Sequence, residues 1–104
     1  DRVIIDIAKL SGYCLNPDHP VGKHKARVFA SALGLRTEDA PELQVALLAA
    51  ARNDEATVTE KDIYGQRYEV DFTWTRQGQT AIIRSAWIVR ADEDFPRLMT
   101  CYIA

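Results

Sequence analysis

Cysteine is scarce in this sequence, and the placement of the two residues excludes two classes of site. Cys14 and Cys101 are the only cysteines, and they lie far apart in the chain without a Cys-x-x-Cys spacing. Structural zinc sites use four Cys or His ligands in close pairs, so we expect no bound metal, and no motif indicates a cofactor. A disulfide framework is missing as well, which predicts two reduced and unlinked thiols.

Long apolar segments, repeats and low-complexity stretches are also missing. No run of 18 apolar residues occurs among the 104 residues, so the sequence predicts no membrane segment. The chain is 47% hydrophobic and 27% charged, which is typical of a globular domain with a modest core. Its length predicts a single domain over residues 1–104. Because the sequence begins at Asp1, we expect either a part of a longer polypeptide or a chain trimmed at a domain edge.

Neither sign of charge dominates, but the charges are distributed unevenly. The net charge of −2 disfavours nucleic-acid binding by the whole surface. Residues 38–62 contain seven acids against Arg52 and Lys61, which would suit a basic partner. Residues 19–36 contain no acid and four basic residues, namely Lys23, Lys25, Arg27 and Arg36. The second segment predicts a local site for an anion.

The first half of the sequence predicts two helices. Pro17 and Pro20 interrupt the chain, and a helix should begin near Pro20 because proline suits the first helical turn. This helix should end at Gly34, since glycine is favoured just after a helix. A second helix is predicted from Asp39 to about Arg52, with apolar residues at helical spacing. Residues 3–10 form either a short helix or an extended lead-in.

The second half predicts four strands. Alternation of apolar and polar residues begins at residue 56 and continues over 68–74, and two further strands are expected over 80–90 and 97–103. Helices followed by strands predict an α+β domain, with the N-terminal helices packed on one face of a four-stranded antiparallel sheet. The expected core residues are Phe29, Leu33, Leu43, Leu47, Val70, Phe72, Ile88 and Ile103.

The start of the first long helix is the first candidate site. Lys25 falls inside the apolar arc of that helix, at ~40° from Val21 when each residue turns by 100°. It either extends its ammonium past apolar surface into water or holds an anion in a cleft. His19 lies at or before the N-cap, where the helix dipole favours a neutral ring. It acts either as a general base near a phosphate or only as a cap of backbone amides. His24 lies outside the arc, so we expect it to be solvated.

The last two strands carry the second candidate site. Thr100 and Tyr102 share one face by the period of two, while Met99, Cys101 and Ile103 share the opposite, core-facing side. Ser85 and Trp87 share a face of the preceding strand. If that face is open, these polar and aromatic side chains form a substrate surface; otherwise it is an ordinary solvated sheet face.

Simple alternation along the strand predicts an unusual position for Arg84. It points away from Ser85, so an open face at Ser85 would bury the guanidinium. Either a bulge reorients Arg84, or a carboxylate such as Asp71 or Glu69 pairs with it.

A family resemblance covers almost the whole chain. It is carried by three segments, LNPDHPVGKHKARVFASALG, YGQRYEVDF and RSAWIVRADEDFPRLMTCYIA, with the motifs LNPDHPxG...KA and SAWIVR...EDFPRLxTCY. These resemble an uncharacterised family of small bacterial domains that occur alone or at the ends of larger proteins, some near toxin-type gene pairs. The resemblance implies that residues 1–104 are the C-terminal toxin domain of a longer polypeptide.

The layout of the chain also resembles the barnase, EndoU, colicin and RelE superfamily of ribonuclease toxins, and most of all the ribonuclease A-like contact-dependent inhibition toxins. The resemblance implies metal-independent cleavage of RNA, with tRNA as a candidate, by attack of the 2′-hydroxyl. His19 would be the base, Lys25 or Arg84 the basic residue, and Thr100 with Tyr102 the late-strand Thr-x-Tyr pair. Trp87 or Tyr68 would stack on a base, and Ser85 would line the same surface.

The same resemblance implies a cognate immunity or antitoxin protein as partner. It also implies action in the bacterial cytoplasm, after delivery by secretion as part of a larger protein. The alternative is a binding module without chemistry, an immunity protein or an adaptor. An enzyme requires His19, Lys25, Thr100 and Tyr102 to meet at one cleft, whereas a binding module does not.

Overall fold

The computed structural model describes residues 2–104, and the predicted α+β architecture is confirmed. A short helix α1 (Ile7–Lys9) runs into a π-helical turn over Leu10–Cys14. Helix α2 spans Lys23–Leu33, and helix α3 spans Ala40–Asn53 after a 3-10 turn over Thr37–Asp39. The strands are β1 (Thr57–Asp62), β2 (Gly65–Arg76), β3 (Gln79–Arg90) and β4 (Pro96–Ile103).

A glycine and a proline explain where α2 ends and where α3 begins. Gly34 closes α2 with a φ of 65°, a left-handed conformation that glycine adopts without a steric cost. Pro41 occupies the first turn of α3, where its missing N–H leaves no hydrogen bond unmade. The lead-in is mostly extended before α1, and the backbone of Ile4 bonds Pro96 and Leu98 at the edge of β4.

The sheet is an antiparallel meander in the order β1-β2-β3-β4. The turn between β2 and β3 consists of Gln77 and Gly78, both with positive φ, as hairpins with two-residue loops require. β3 and β4 change register between Ala86 and Trp87, which leaves Met99 outside the pairing. This bulge decides which side chains of β4 face the helices.

The core lies between the helices and one face of the sheet. It includes Phe29 and Leu33 of α2, Leu43 and Leu47 of α3, and Val70 of β2, all predicted as core residues. Phe72 and Ile103 are partly buried against this cluster, and Ile88 is buried but lies outside it.

The expectation that Met99 faces the core was wrong. Leu98 is the buried residue, because it pairs with Trp87, while the bulge turns Met99 towards Arg67.

Candidate functional site

His19 caps the chain where it enters α2. Its Nδ1 accepts hydrogen bonds from the backbone N–H groups of Val21 (3.0 Å) and Gly22 (2.9 Å). Its carbonyl accepts from the N–H of Lys23, the first residue of the helix. These contacts satisfy amides that would otherwise lack partners at a helix start. Because Nδ1 is the acceptor, a neutral ring carries its proton on Nε2, and His19 presents a donor to its surroundings.

Tyr13 connects His19 to Lys25. The rings of Tyr13 and His19 meet edge to face with centroids 4.8 Å apart, and Lys25 Nζ donates to the Tyr13 hydroxyl at 3.0 Å. A side chain on Gly22 would collide with the Tyr13 carbonyl, so glycine permits this close approach. No periodic pattern marks Tyr13, which lies in the π-helical turn, and its role was not predicted.

Lys25 lies between two aromatic rings. Its Nζ is 5.0 Å from the centroid of the Tyr13 ring and 5.6 Å from that of Tyr102, distances at which a cation is attracted to a ring. Within residues 2–104 Lys25 forms no ion pair with a carboxylate. No carboxylate of residues 2–104 therefore compensates its positive charge, which suits Lys25 to bind an anion.

A shallow cleft of about 460 Å³ opens beside Lys25 and Tyr102. His24, Val28 and Ile103 complete its lining. The exposed His24 ring makes no hydrogen bond with any other part of residues 2–104, so one of its nitrogens is free to accept a proton. Sequence reasoning placed His24 in solvent and gave it no role. The sequence does not show that β4 packs beside this turn of α2, and this packing is what places His24 at the cleft.

Thr100 contacts Cys14, which follows Tyr13 in the π-helical turn. Its hydroxyl lies 3.8 Å from Cys14 Sγ, and the Cys14 thiol also contacts Cys101. Both cysteines are free and fully buried. The hydrogen bond from Cys101 lowers the pKa of Cys14 to about 6, against the opposing effect of burial. That hydrogen bond and burial raise the pKa of Cys101.

Arg84 pairs with Asp71, one of the two carboxylates expected for it. Its Nε and Nη2 each donate to an Asp71 oxygen at 3.0 Å, and Glu69 lies 3.8 Å away. This pairing lowers the pKa of Asp71 and raises that of Arg84, whose guanidinium also bonds Tyr102. The charge of Arg84 is thus compensated by a carboxylate, unlike that of Lys25.

The expectation of a substrate surface at Ser85 and Trp87 was wrong. Ser85 is 0% exposed and Trp87 is 2% exposed, because this face of β3 packs against the helices. Ser85 Oγ donates to the Val70 carbonyl at 2.7 Å and accepts from Trp87 Nε1 at 2.8 Å, so their polar groups are satisfied internally. Arg84 consequently lies on the outer face and is not buried by the pleat.

Tyr68 does not join the cleft beside Lys25. It packs against the core and lines a separate apolar pocket of about 190 Å³, together with Trp87, Val89 and Pro96. Of the residues predicted from sequence, the structure thus connects His19, Lys25 and Tyr102 through ring and hydrogen-bond contacts. Arg84 forms a hydrogen bond with Tyr102, and Thr100 contacts the buried Cys14.

Residues 2–104 contain no group of three His, Cys, Asp or Glu side chains placed to hold a metal ion. Over the same residues no helix is long and apolar enough to cross a membrane.

Comparison with known proteins gives a family and a fold. A family profile described as "Domain of unknown function (DUF6883)" matches residues 1–104. The structure resembles a chain of a contact-dependent growth inhibition toxin–immunity protein complex from Klebsiella pneumoniae 342. The TM-score is 0.69 at 15% identity, and the match covers 97% of this chain and 99% of that chain. At this identity the likeness concerns the fold alone. No curated protein matches the sequence.

Proposed function

We propose that this chain, which belongs to the DUF6883 family of domains of unknown function, is a bacterial toxin domain that cleaves RNA. The observation that carries the proposal is the position of Lys25, whose charge is held between Tyr13 and Tyr102 at the wall of an open cleft. An uncompensated cation among hydroxyl donors suits a phosphate group in a transition state.

The reaction is cleavage by the neighbouring 2′-hydroxyl. The 2′-oxygen forms a bond to phosphorus while the bond from phosphorus to the 5′-oxygen breaks, which leaves a 2′,3′-cyclic phosphate and a free 5′-hydroxyl. A base must take the proton of the 2′-hydroxyl, and an acid must give one to the departing 5′-oxygen. Lys25 neutralises the charge on the phosphate oxygens, and Tyr102 orients the phosphate.

The two histidines are assigned different roles from those expected. His24 is the base in our proposal, because its ring lines the cleft and has an unoccupied nitrogen. His19 is poorly suited as a base, since its only unprotonated nitrogen in the neutral state already accepts two backbone N–H groups. Its Nε2–H is available as a hydrogen-bond donor, so we assign His19 to a hydrogen bond with a phosphate oxygen. A neutral imidazole is too weak an acid to release this proton, so protonated His24 gives the proton taken from the 2′-hydroxyl to the departing 5′-oxygen.

The choice between Lys25 and Arg84 as phosphate ligand follows from their partners. Arg84 would have to give up two charge-assisted hydrogen bonds to Asp71 before it could bind a phosphate in the same geometry. Lys25 would lose only a hydrogen bond to a phenol. We therefore assign the phosphate to Lys25 and regard Arg84 as a positioning residue for Tyr102. Thr100 supports this edge of β4 through Cys14.

The comparison with the toxin–immunity complex supports a role in bacterial competition. The present chain shares its fold with one chain of that complex over nearly the full length of both. On this basis we propose delivery by secretion within a larger protein, action in the bacterial cytoplasm and a cognate immunity protein as partner. The substrate class within RNA is proposed to include tRNA.

The decisive experiment is incubation of the purified domain with total tRNA, with and without EDTA, followed by gel analysis. We expect cleavage that persists in EDTA and products that end in a 2′,3′-cyclic phosphate. Lys25→Gln should abolish cleavage, whereas Lys61→Gln, the same change of charge on exposed β1, should leave it intact. Absence of cleavage by the wild-type domain on tRNA and on mixed cellular RNA would refute the proposal.

A second candidate function is the binding module, and one observation favours it. Every residue of the edge strand β1 is exposed, and the adjoining turn exposes 84% of Ile63 and 66% of Tyr64. An unpaired strand edge beside exposed apolar groups can add a strand from a partner protein. An immunity protein that only binds would be inert towards RNA and would protect cells from a toxin, which a co-expression growth assay measures.

A further inference from the structure

A second cleft, of about 320 Å³, lies on the other side of α2. One wall is α2, from Lys23 to Ala30, and the other is the segment from Leu35 to Glu38 that leads into α3. Leu15 and Pro17 contribute apolar surface. Lys23, Arg27 and Arg36 line this cleft, with Glu38 as the acidic residue among the lining side chains. These three cations do not line the cleft beside Lys25.

The three cations differ from most arginines of the sheet in having no carboxylate partner. Arg67, Arg76, Arg84 and Arg97 each form an ion pair. By contrast, Lys23, Arg27 and Arg36 form no ion pair with any acid of residues 2–104 and are exposed. Lys23 and Arg27 are four residues apart on one helix, a spacing at which like charges repel and slightly destabilise the helix. Glu38 lines the same cleft but forms no ion pair with these residues, and a bound anion would offset the repulsion further.

The two clefts are related by the geometry of α2. Lys25 is two residues from both Lys23 and Arg27, so it projects roughly 200° around the helix from them. A helix with its side chains is about 10–12 Å across, so a chain that crosses the first turn of α2 can reach both sides. A polyanion with regularly spaced charges meets this requirement better than a single small anion.

We infer that the cleft lined by Lys23, Arg27 and Arg36 binds the sugar-phosphate backbone of single-stranded RNA beyond the phosphate held at Lys25. The inference rests on the proposed ribonuclease function and extends it, because it makes the substrate a strand of several nucleotides. Phosphate contacts of this kind add affinity without base specificity. The apolar floor between the cations lies under the backbone and the sugars.

The test uses an RNA oligonucleotide with 2′-O-methyl groups, which lacks the attacking hydroxyl and is not cut. Binding is measured by fluorescence anisotropy over a range of salt concentrations, for wild type and for Lys23→Gln/Arg27→Gln. A matched control, Lys61→Gln/Arg90→Gln, removes two exposed positive charges elsewhere on the protein. Circular dichroism melting verifies that all three proteins are folded.

We expect the cleft variant to bind about tenfold more weakly at low salt, and its log Kd to depend less on log salt by about 1.4, or 0.7 per lost contact to a single strand. The control should match wild type. On unmodified RNA the cleft variant should lose kcat/KM for long oligonucleotides and keep it for a dinucleotide, which is too short to reach the cleft.

Two results would separate this inference from the proposed function. Equal binding by the cleft variant and wild type, with cleavage still dependent on Lys25, would overturn the inference and leave an acidic protein as the occupant of the cleft. Cleft-dependent RNA binding without any cleavage by wild type would support the inference of an RNA-binding cleft and would refute the ribonuclease function.

Discussion

Replacing each histidine by alanine should abolish cleavage, but only the His19 replacement should destabilise the domain. His19 satisfies two backbone N–H groups at the start of α2 through Nδ1, so His19→Ala leaves both without a protein partner. Loss of a helix cap costs about 1 kcal/mol, with a range of 0.5–2 kcal/mol. Loss of the edge-to-face contact with Tyr13 adds about 0.5–1.5 kcal/mol. Together they predict a destabilisation of about 1–3.5 kcal/mol.

The corresponding fall in Tm is large enough to measure. For a domain of this size, 1 kcal/mol corresponds to about 4–8 °C, so His19→Ala should melt at least about 4 °C below wild type. His24 is exposed and makes no hydrogen bond within residues 2–104, so His24→Ala should change Tm by no more than about 2 °C, as expected for a surface substitution.

Differential scanning calorimetry and tRNA cleavage, performed on the same preparations, check both parts. His24→Ala should abolish cleavage at nearly wild-type stability. His19→Asn keeps a side-chain acceptor for the helix start but removes the imidazole, so it should recover most of the lost Tm and not the activity. A His19→Ala protein with wild-type Tm would refute the capping argument. Full activity of His24→Ala would refute its role as base.

Two further predictions concern residues outside the cleft. Arg76 is nearly buried and donates to Glu42 and to the carbonyls of Leu33 and Gly34, so Arg76→Ala should destabilise by about 2–4 kcal/mol in urea unfolding; a loss below about 1 kcal/mol would contradict this role. The hydrogen bonds from Arg84 hold the pKa of Asp71 below its usual value, so their stabilisation is present above the unfolded pKa of about 3.9 and is lost as pH falls through the folded pKa. Asp71→Asn should therefore lose less Tm than wild type between pH 7 and pH 3, and equal losses would exclude this contribution.

The sequence by itself determined the elements of the fold. The spacing of apolar residues predicted α2, α3 and the strands, because helical and extended chains repeat with different periods. Gly34 also marked the end of α2, because glycine adopts the left-handed conformation that closes a helix. These are local properties, since they depend on a residue and its near neighbours. The late-strand Thr-x-Tyr pair and Lys25 were found in the same way.

Only the tertiary structure decided which face of β3 is buried. Alternation separates Arg84 from Ser85 but does not say which points inward, and the more polar Ser85 lies in the core beside Trp87. The Ser85 hydroxyl donates a hydrogen bond to the Val70 carbonyl and accepts one from the Trp87 indole, so its burial leaves no polar group unpaired. Burial of the Arg84 guanidinium would cost more free energy, because it carries a charge. The bulge opposite Trp87 likewise places Leu98 in the core where alternation predicted Met99. No residue pattern in the sequence marks the position of this bulge.

The tertiary structure also decided which side chains meet at the cleft. Tyr13 and Tyr102 are far apart in sequence and come together around Lys25 because the π-helical turn and β4 both pack beside α2. His19 and His24 could not be distinguished by composition. The neighbouring amides of Val21 and Gly22 occupy Nδ1 of His19. His24 lines the cleft because β4, which is distant in sequence, packs beside α2.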